Sequence, residues 1–146
     1  MGHEIDFLTE WAVWAHLDST PDLEKILLKG HLLLEIILDT TLGRNNLKNF
    51  TNYSFHKKIT IIEKIDFDSS PQRDLIVSSL KEINQLRNRF AHEFNFDIKD
   101  GRFELWATNI IMNFEGTKFT KYTFRTKAVH SFSTLSKNLL DLTAST

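Results

Sequence analysis

The chain has 146 residues, with 18 basic and 19 acidic side chains, a formal net charge of -1, no cysteine, five glycines and two prolines. That length fits a single domain spanning residues 1–146, and the near-neutral balance supplies no global field for a polyanion, so contact with nucleic acid requires a local patch. Disulfides and thiol chemistry are excluded; the longest apolar run, Leu32 to Leu38, is broken by Glu35 and is far shorter than the ~18 residues of a membrane span; and acids at Glu4, Asp6 and Glu10 replace the basic start of a signal peptide. The expected location is the cytoplasm.

Few glycines and prolines mean few forced turns and favour helices. Leu8, Trp11, Trp14 and Ala15 give a short amphipathic first helix. Thr20 as N-cap and Pro21 at the first helical position predict a second helix to about Thr41, and its apolar middle predicts that it lies at the centre of the molecule. Residues 43–54 read as a polar loop, after which Ser54 caps a third helix carrying Ile59, Ile61, Ile62 and Ile65. A fourth helix runs from about Gln72 to Glu93, with Ile76, Leu80, Ile83, Phe90 and Phe94 on one face. Phe94 to Ile98 alternates, Asp100-Gly101 is a turn signal, and Phe103 and Leu105 resume the alternation, which predicts a small β-hairpin; residues 117–126 alternate loosely and suggest a further strand. A last helix from about Thr126 buries Val129, Phe132, Leu135, Leu139 and Leu142. The fold class expected is mainly all-α, a bundle of four or five helices with a small hairpin after the fourth.

The informative stretch is Leu86-Arg87-Asn88-Arg89-Phe90-Ala91-His92-Glu93-Phe94. At about 100° per residue, Arg87 falls within the apolar stripe of the fourth helix, where a cation needs a partner or a wet cleft, since removing its charge from water costs several kcal/mol. Glu35 and Asp39, at i and i+4 on the second helix, are the partners expected. His92 follows five residues later, about 140° further round, so Arg87 and His92 do not share a face, whereas Asn88 and His92 do. A site using both therefore needs helix distortion or a second copy of the chain, which argues for a dimer.

Arg87-Asn88-Arg89-Phe90-Ala91-His92 resembles the Arg-x4-6-His motif of HEPN domains, in its Arg-Asn-x-x-Ala-His form. Arg125 and His130 have the same spacing but none of the surrounding pattern. The resemblance implies an all-α HEPN-like bundle that forms a homodimer, with motif residues of both copies facing one cleft. Active members of that family are metal-independent ribonucleases that cut single-stranded RNA, often in toxin–antitoxin or antiphage systems, so a cognate antitoxin or regulatory protein is a further implied partner. By that resemblance the catalytic residues are Arg87, His92 and Asn88. Histidine, with an ordinary pKa near ~6.5, suits proton transfer at neutral pH, and the planar arginine fork suits a phosphate. Arg89 is a candidate for the RNA backbone. No metal or cofactor is required by this scheme, and no His, Asp or Glu cluster has metal-ligand spacing. Phe94 stands where one HEPN branch carries a tyrosine that is modified, so that regulation is not expected. The phenylalanine form also resembles the mannitol-operon-repressor group, which implies the alternative of a non-catalytic regulator or adaptor that binds a protein partner.

Charge is unevenly spread, with four bases against eight acids in residues 1–50 and six against three in 101–146. In the basic tail, Lys118, Lys121, Arg125 and Lys127 interleave with Phe119, Tyr122 and Phe124. That composition suits single-stranded RNA, with bases stacked on rings and phosphates on cations, and equally suits an edge strand guarded by lysines.

Overall fold

The computed structural model describes residues 12–65, 67, 70–114 and 122–142. Six helices account for almost all regular structure among them: α1 (12–18), α2 (Leu23–Arg44), α3 (Phe55–Lys64), α4 (Ser70–His92), α5 (Arg102–Asn113) and α6 (Phe124–Leu140). The chain is an all-α bundle in which α6 packs mainly on α2 and α5, and α3 packs on α4. Among the described residues, no helix is long and apolar enough to cross a membrane.

Local caps set the helix ends. Asp22, not Thr20, caps α2 by accepting a hydrogen bond from the Glu24 amide at 2.9 Å. Thr20 is instead buried, its amide donating to the Leu17 carbonyl at the end of α1. Ser54 caps α3 as expected, accepting from the Lys57 amide. Thr123 and Thr126 form a reciprocal capping box that starts α6 at Phe124, two residues earlier than the periodicity indicates.

The expected hairpin is not there. Residues 94–101 form a loop, and Arg102–Asn113 is the helix α5. Phe103, Trp106, Ala107 and Ile110 recur at i, i+3, i+4 and i+7 and bury together, while Leu105, read as the inward partner of Phe103, is 61% exposed. The Asp100-Gly101 turn signal is real: Gly101 has φ +99°, and the Asp100 carboxylate accepts from the Arg102 amide. It opens a helix instead of joining two strands. Of the strand suggested over 117–126, residues 117–121 lie outside the described residues, and 124–126 belong to α6.

The central element is α6 and not α2. From Ala128 to Leu140 every residue of α6 except Lys137 is buried, whereas α2 leaves Leu32 and Ile36 each 59% exposed. The buried polar residues of α6 are satisfied within the fold: Ser131, Ser133 and Ser136 donate to carbonyls of their own helix, as does the Asn138 amide, whose oxygen accepts from Gln72. Gly30 lets α2 approach, because a Cβ there would sit 2.5 Å from the ring of Phe132. Trp106 packs against the same ring in a tilted arrangement, centroids 5.0 Å apart, and donates its indole N–H to the Ser79 carbonyl, tying α5 to α4.

Candidate functional site

The buried stripe of α4 runs through Ile76, Leu80 and Ile83, and the next position on it is Arg87. There the packing opens into a cleft of about 510 Å³ between α2, α4 and the start of α3. Asn84, Arg87 and Asn88 line it from α4, at i, i+3 and i+4. His31 and Glu35 face it from α2 together with Leu28 and Leu32, and Ser54, Phe55 and His56 close it from α3. Arg87 is thus half-buried at the edge of open space, one of the two situations that the sequence allowed it.

The expected acid partners of Arg87 are taken by another cation. Lys58 of α3, 2% exposed, places its Nζ 2.8 Å from Asp39 Oδ1 and 3.3 Å from Glu35 Oε2. Burial alone would lower the Lys58 pKa, but the hydrogen bond and charge of Asp39, with Glu35 adding to them, outweigh it and raise the pKa. Arg87 is left with a 3.5 Å contact to the Asn88 amide oxygen and no carboxylate partner among the described residues.

His31 is buried, and its Nε2 lies 3.0 Å from Asn84 Oδ1. An amide oxygen only accepts, so Nε2 carries the proton in this bond. Its ring also packs on Phe55, with centroids 4.2 Å apart. Burial, reinforced by the charge of Arg87, lowers the His31 pKa against the opposing hydrogen bond to Asn84 and the charge of Glu35. His31 is therefore neutral at pH 7 and serves as a fixed wall of the cleft.

His92 ends α4 and is exposed, outside the residues that line the cleft of its own chain. Phe94, expected on the buried stripe, lies beyond the end of the helix and is fully exposed. Arg89 is held by Glu93 at 2.9 Å, lies 4.0 Å from Asp100, and packs over the Phe96 ring. It lines a smaller cleft with Arg102 and Trp106.

Among the basic residues considered for RNA, Arg125 is bound to the Asp18 carboxylate and to the carbonyls of Asp18 and Thr20, which fastens α6 to the end of α1. Lys127 pairs with Glu104 at 3.5 Å. Lys118 and Lys121 lie outside the described residues. No group of three or more His, Asp or Glu among the described residues is placed to hold a metal ion.

The structure therefore joins Arg87 and Asn88 in one cleft and separates them from the His92 of the same chain. It also adds residues that sequence reasoning passed over: His31, Ser54, His56 and Asn84. A usable signal existed for Asn84, which precedes Arg87 and Asn88 at helical spacing; none existed for His56, brought in from another helix. Comparison of the chain with protein-family models, curated proteins and solved structures finds no match.

Proposed function

We propose that this chain is a HEPN-like, metal-independent endoribonuclease acting on single-stranded RNA in the cytoplasm, with an active site completed by a second copy of itself. The observation that carries the reading is Arg87: a guanidinium without a carboxylate, opening on a cleft beside Asn88. A fold pairs a half-buried cation with an acid when it has one to spare, and here Glu35 and Asp39 are both committed to Lys58. An arginine lining a cleft without a carboxylate among the described residues suits an anion brought from outside, and its planar fork suits a phosphate.

The exposed His92 supports the dimer. Together with Phe94 beyond it and with Leu32 and Ile36 on α2, it gives the molecule apolar and polar surface that a second copy would cover. In that arrangement Arg87 grips the scissile phosphate and offsets the negative charge that grows on its oxygens. One His92 takes the proton from the ribose 2′-hydroxyl, whose oxygen attacks phosphorus. The bond from phosphorus to the 5′-oxygen breaks, and a proton from the His92 of the second copy neutralises that oxygen. The products are a 2′,3′-cyclic phosphate and a 5′-hydroxyl. Asn88, four residues before His92, orients the imidazole or binds the phosphate. A toxin–antitoxin or antiphage role, with a cognate inhibitor protein, belongs to the same proposal.

A non-catalytic adaptor would use the same exposed Leu32, Ile36 and Phe94 to hold another protein and would leave His92 dispensable. The two readings separate on single-stranded RNA incubated in EDTA with the wild-type chain and with His92→Ala. Removing one general acid or base should slow cleavage about 10²–10⁴-fold. Equal cleavage by both proteins, or none by either, refutes the catalytic assignment of His92.

A further inference from the structure

We propose that the cleft between α2, α3 and α4 is a nucleotide subsite complete within one chain, in which Asn84 and His56, both outside the motif, join Arg87 and Asn88 in holding one ribonucleotide of the substrate strand. This rests on the ribonuclease reading and adds to it a binding site that the motif does not describe.

The cleft measures about 510 Å³, within the range of small-ligand pockets. Its polar side is arranged for an anion. Arg87 has no carboxylate partner among the described residues, and Glu35, the acid on the lining, already carries the Lys58 ammonium at 3.3 Å. The oxygen of Asn84 is used by His31 and that of Asn88 by Arg87, so each amide has its NH₂ left to donate. Ser54, Phe55 and His56 are the N-cap and first two residues of a ten-residue helix, so the positive end of the α3 dipole borders the same space.

The other side is apolar. Leu28 and Leu32 line it from α2, and Leu32 keeps 59% of its surface open. A bare phosphate would leave that wall wet. A nucleotide sets its phosphate on Arg87 and the amides, and its ribose and base along the leucines. His56 lines the same cleft and supplies an imidazole for phosphate or ribose oxygen, while the neutral His31, fixed by Asn84 and Phe55, is a rigid part of the lining.

The test titrates the His92→Ala protein, in which turnover is blocked, with adenosine 5′-monophosphate and separately with inorganic phosphate, following the imidazole NMR signals of His56 and His31. Saturable shifts of the His56 signal with the nucleotide are expected, at concentrations at least about tenfold below those needed with phosphate. Asn88→Asp, a substitution on an exposed position, and Arg87→Gln should each weaken nucleotide binding about tenfold or more, by adding a repelling charge and removing the attracting one respectively. An unmoved His56 signal, binding indifferent to Asn88→Asp, or phosphate binding as tight as nucleotide binding overturns the subsite. Cleavage measured in parallel keeps the two readings apart. His92-dependent cleavage without nucleotide binding removes the subsite and leaves the nuclease. Nucleotide binding without His92-dependent cleavage removes the nuclease and supports the nucleotide site.

Discussion

Replacing Lys58 by methionine is the perturbation that joins stability to the site. Methionine keeps most of the volume of the buried stem and removes the ammonium, leaving two carboxylates whose counter-ion stood 2.8 and 3.3 Å away. Removing one partner of a fully buried ion pair costs about 3–5 kcal/mol, but Glu35 and Asp39 are 33% and 34% exposed and regain part of their hydration, so the expected loss is about 2–3 kcal/mol. At about 4 °C per kcal/mol for a domain of this size, the melting temperature should fall by roughly 10 °C, read by circular dichroism on heating and by the urea midpoint. The triple variant Lys58→Met, Glu35→Gln, Asp39→Asn buries no unpaired charge and should recover to within about 1 kcal/mol of wild type. The pH dependence follows the raised Lys58 pKa: the contribution is whole below about 10.5, the ordinary lysine value, and fades as pH climbs through the higher folded value. The same substitution frees Glu35 in the cleft that Arg87 lines, where it competes with phosphate for the guanidinium. RNA cleavage by Lys58→Met should therefore fall beyond what stability explains, and Glu35→Gln in that background should restore it. A Lys58→Met protein within about 0.5 kcal/mol of wild type would refute the triad, and an activity loss that Glu35→Gln leaves untouched would refute its link to Arg87.

His31 gives a second pH effect, of opposite sense. Its pKa is lowered from 6.5, chiefly by burial, so below that value the unfolded chain binds the proton more readily; stability is complete above about pH 6.5 and is lost as pH falls. The urea midpoint should drop less between about pH 7.5 and about pH 5.5 in His31→Gln than in wild type, and equal drops would contradict the assignment. Gly30→Ala should cost about 1–3 kcal/mol, because its Cβ would stand 2.5 Å from the ring of Phe132, which is itself fully buried and held by Trp106 and Phe103. An unchanged melting temperature for Gly30→Ala would show that α2 and α6 pack less closely than described.

The all-α class was readable because four helices carry either a strong cap, as at Ser54, or a long apolar period, as from Ile76 to Ile83. The errors have two physical sources. Alternation over Phe103 and Leu105 was too short to exclude a helix, and the decisive residues, Trp106, Ala107 and Ile110, lay just past the window. The centrality of α6 was hidden because its buried face is built partly of Ser131, Ser133, Ser136 and Asn138, which look solvent-facing until their hydroxyls and amide are seen bonded to their own helix. For the site, the helical stripe identified Arg87 as a cation needing an explanation. Neither periodicity nor spacing within α4 could tell that Lys58 would reach Glu35 and Asp39 first, since that depends on how α3 docks.

The two Arg-x4-His spacings in this chain differ in how far the fold itself uses their side chains. In the second, Arg125 is used up by Asp18 and the carbonyls that anchor α6, and His130 is buried against the Tyr122 hydroxyl at 3.1 Å. The fold thus uses both side chains, one to anchor α6 and the other within the buried face of that helix. In the first, Arg87 meets no acid among the described residues and His92 stands exposed at the end of its helix. Stability accounts for the acids going to Lys58, which is 2% exposed and would otherwise bury an unpaired ammonium, and it leaves the half-exposed Arg87 without a carboxylate among the described residues and facing the cleft. About 140° of helix rotation still separates Arg87 from His92, so one chain cannot bring both to one phosphate without distorting α4, and α4 is helical through both positions. Chemistry that uses the pair therefore requires two copies, and a monomeric chain that cleaves RNA with a His92-dependent rate would break this reasoning at its central step.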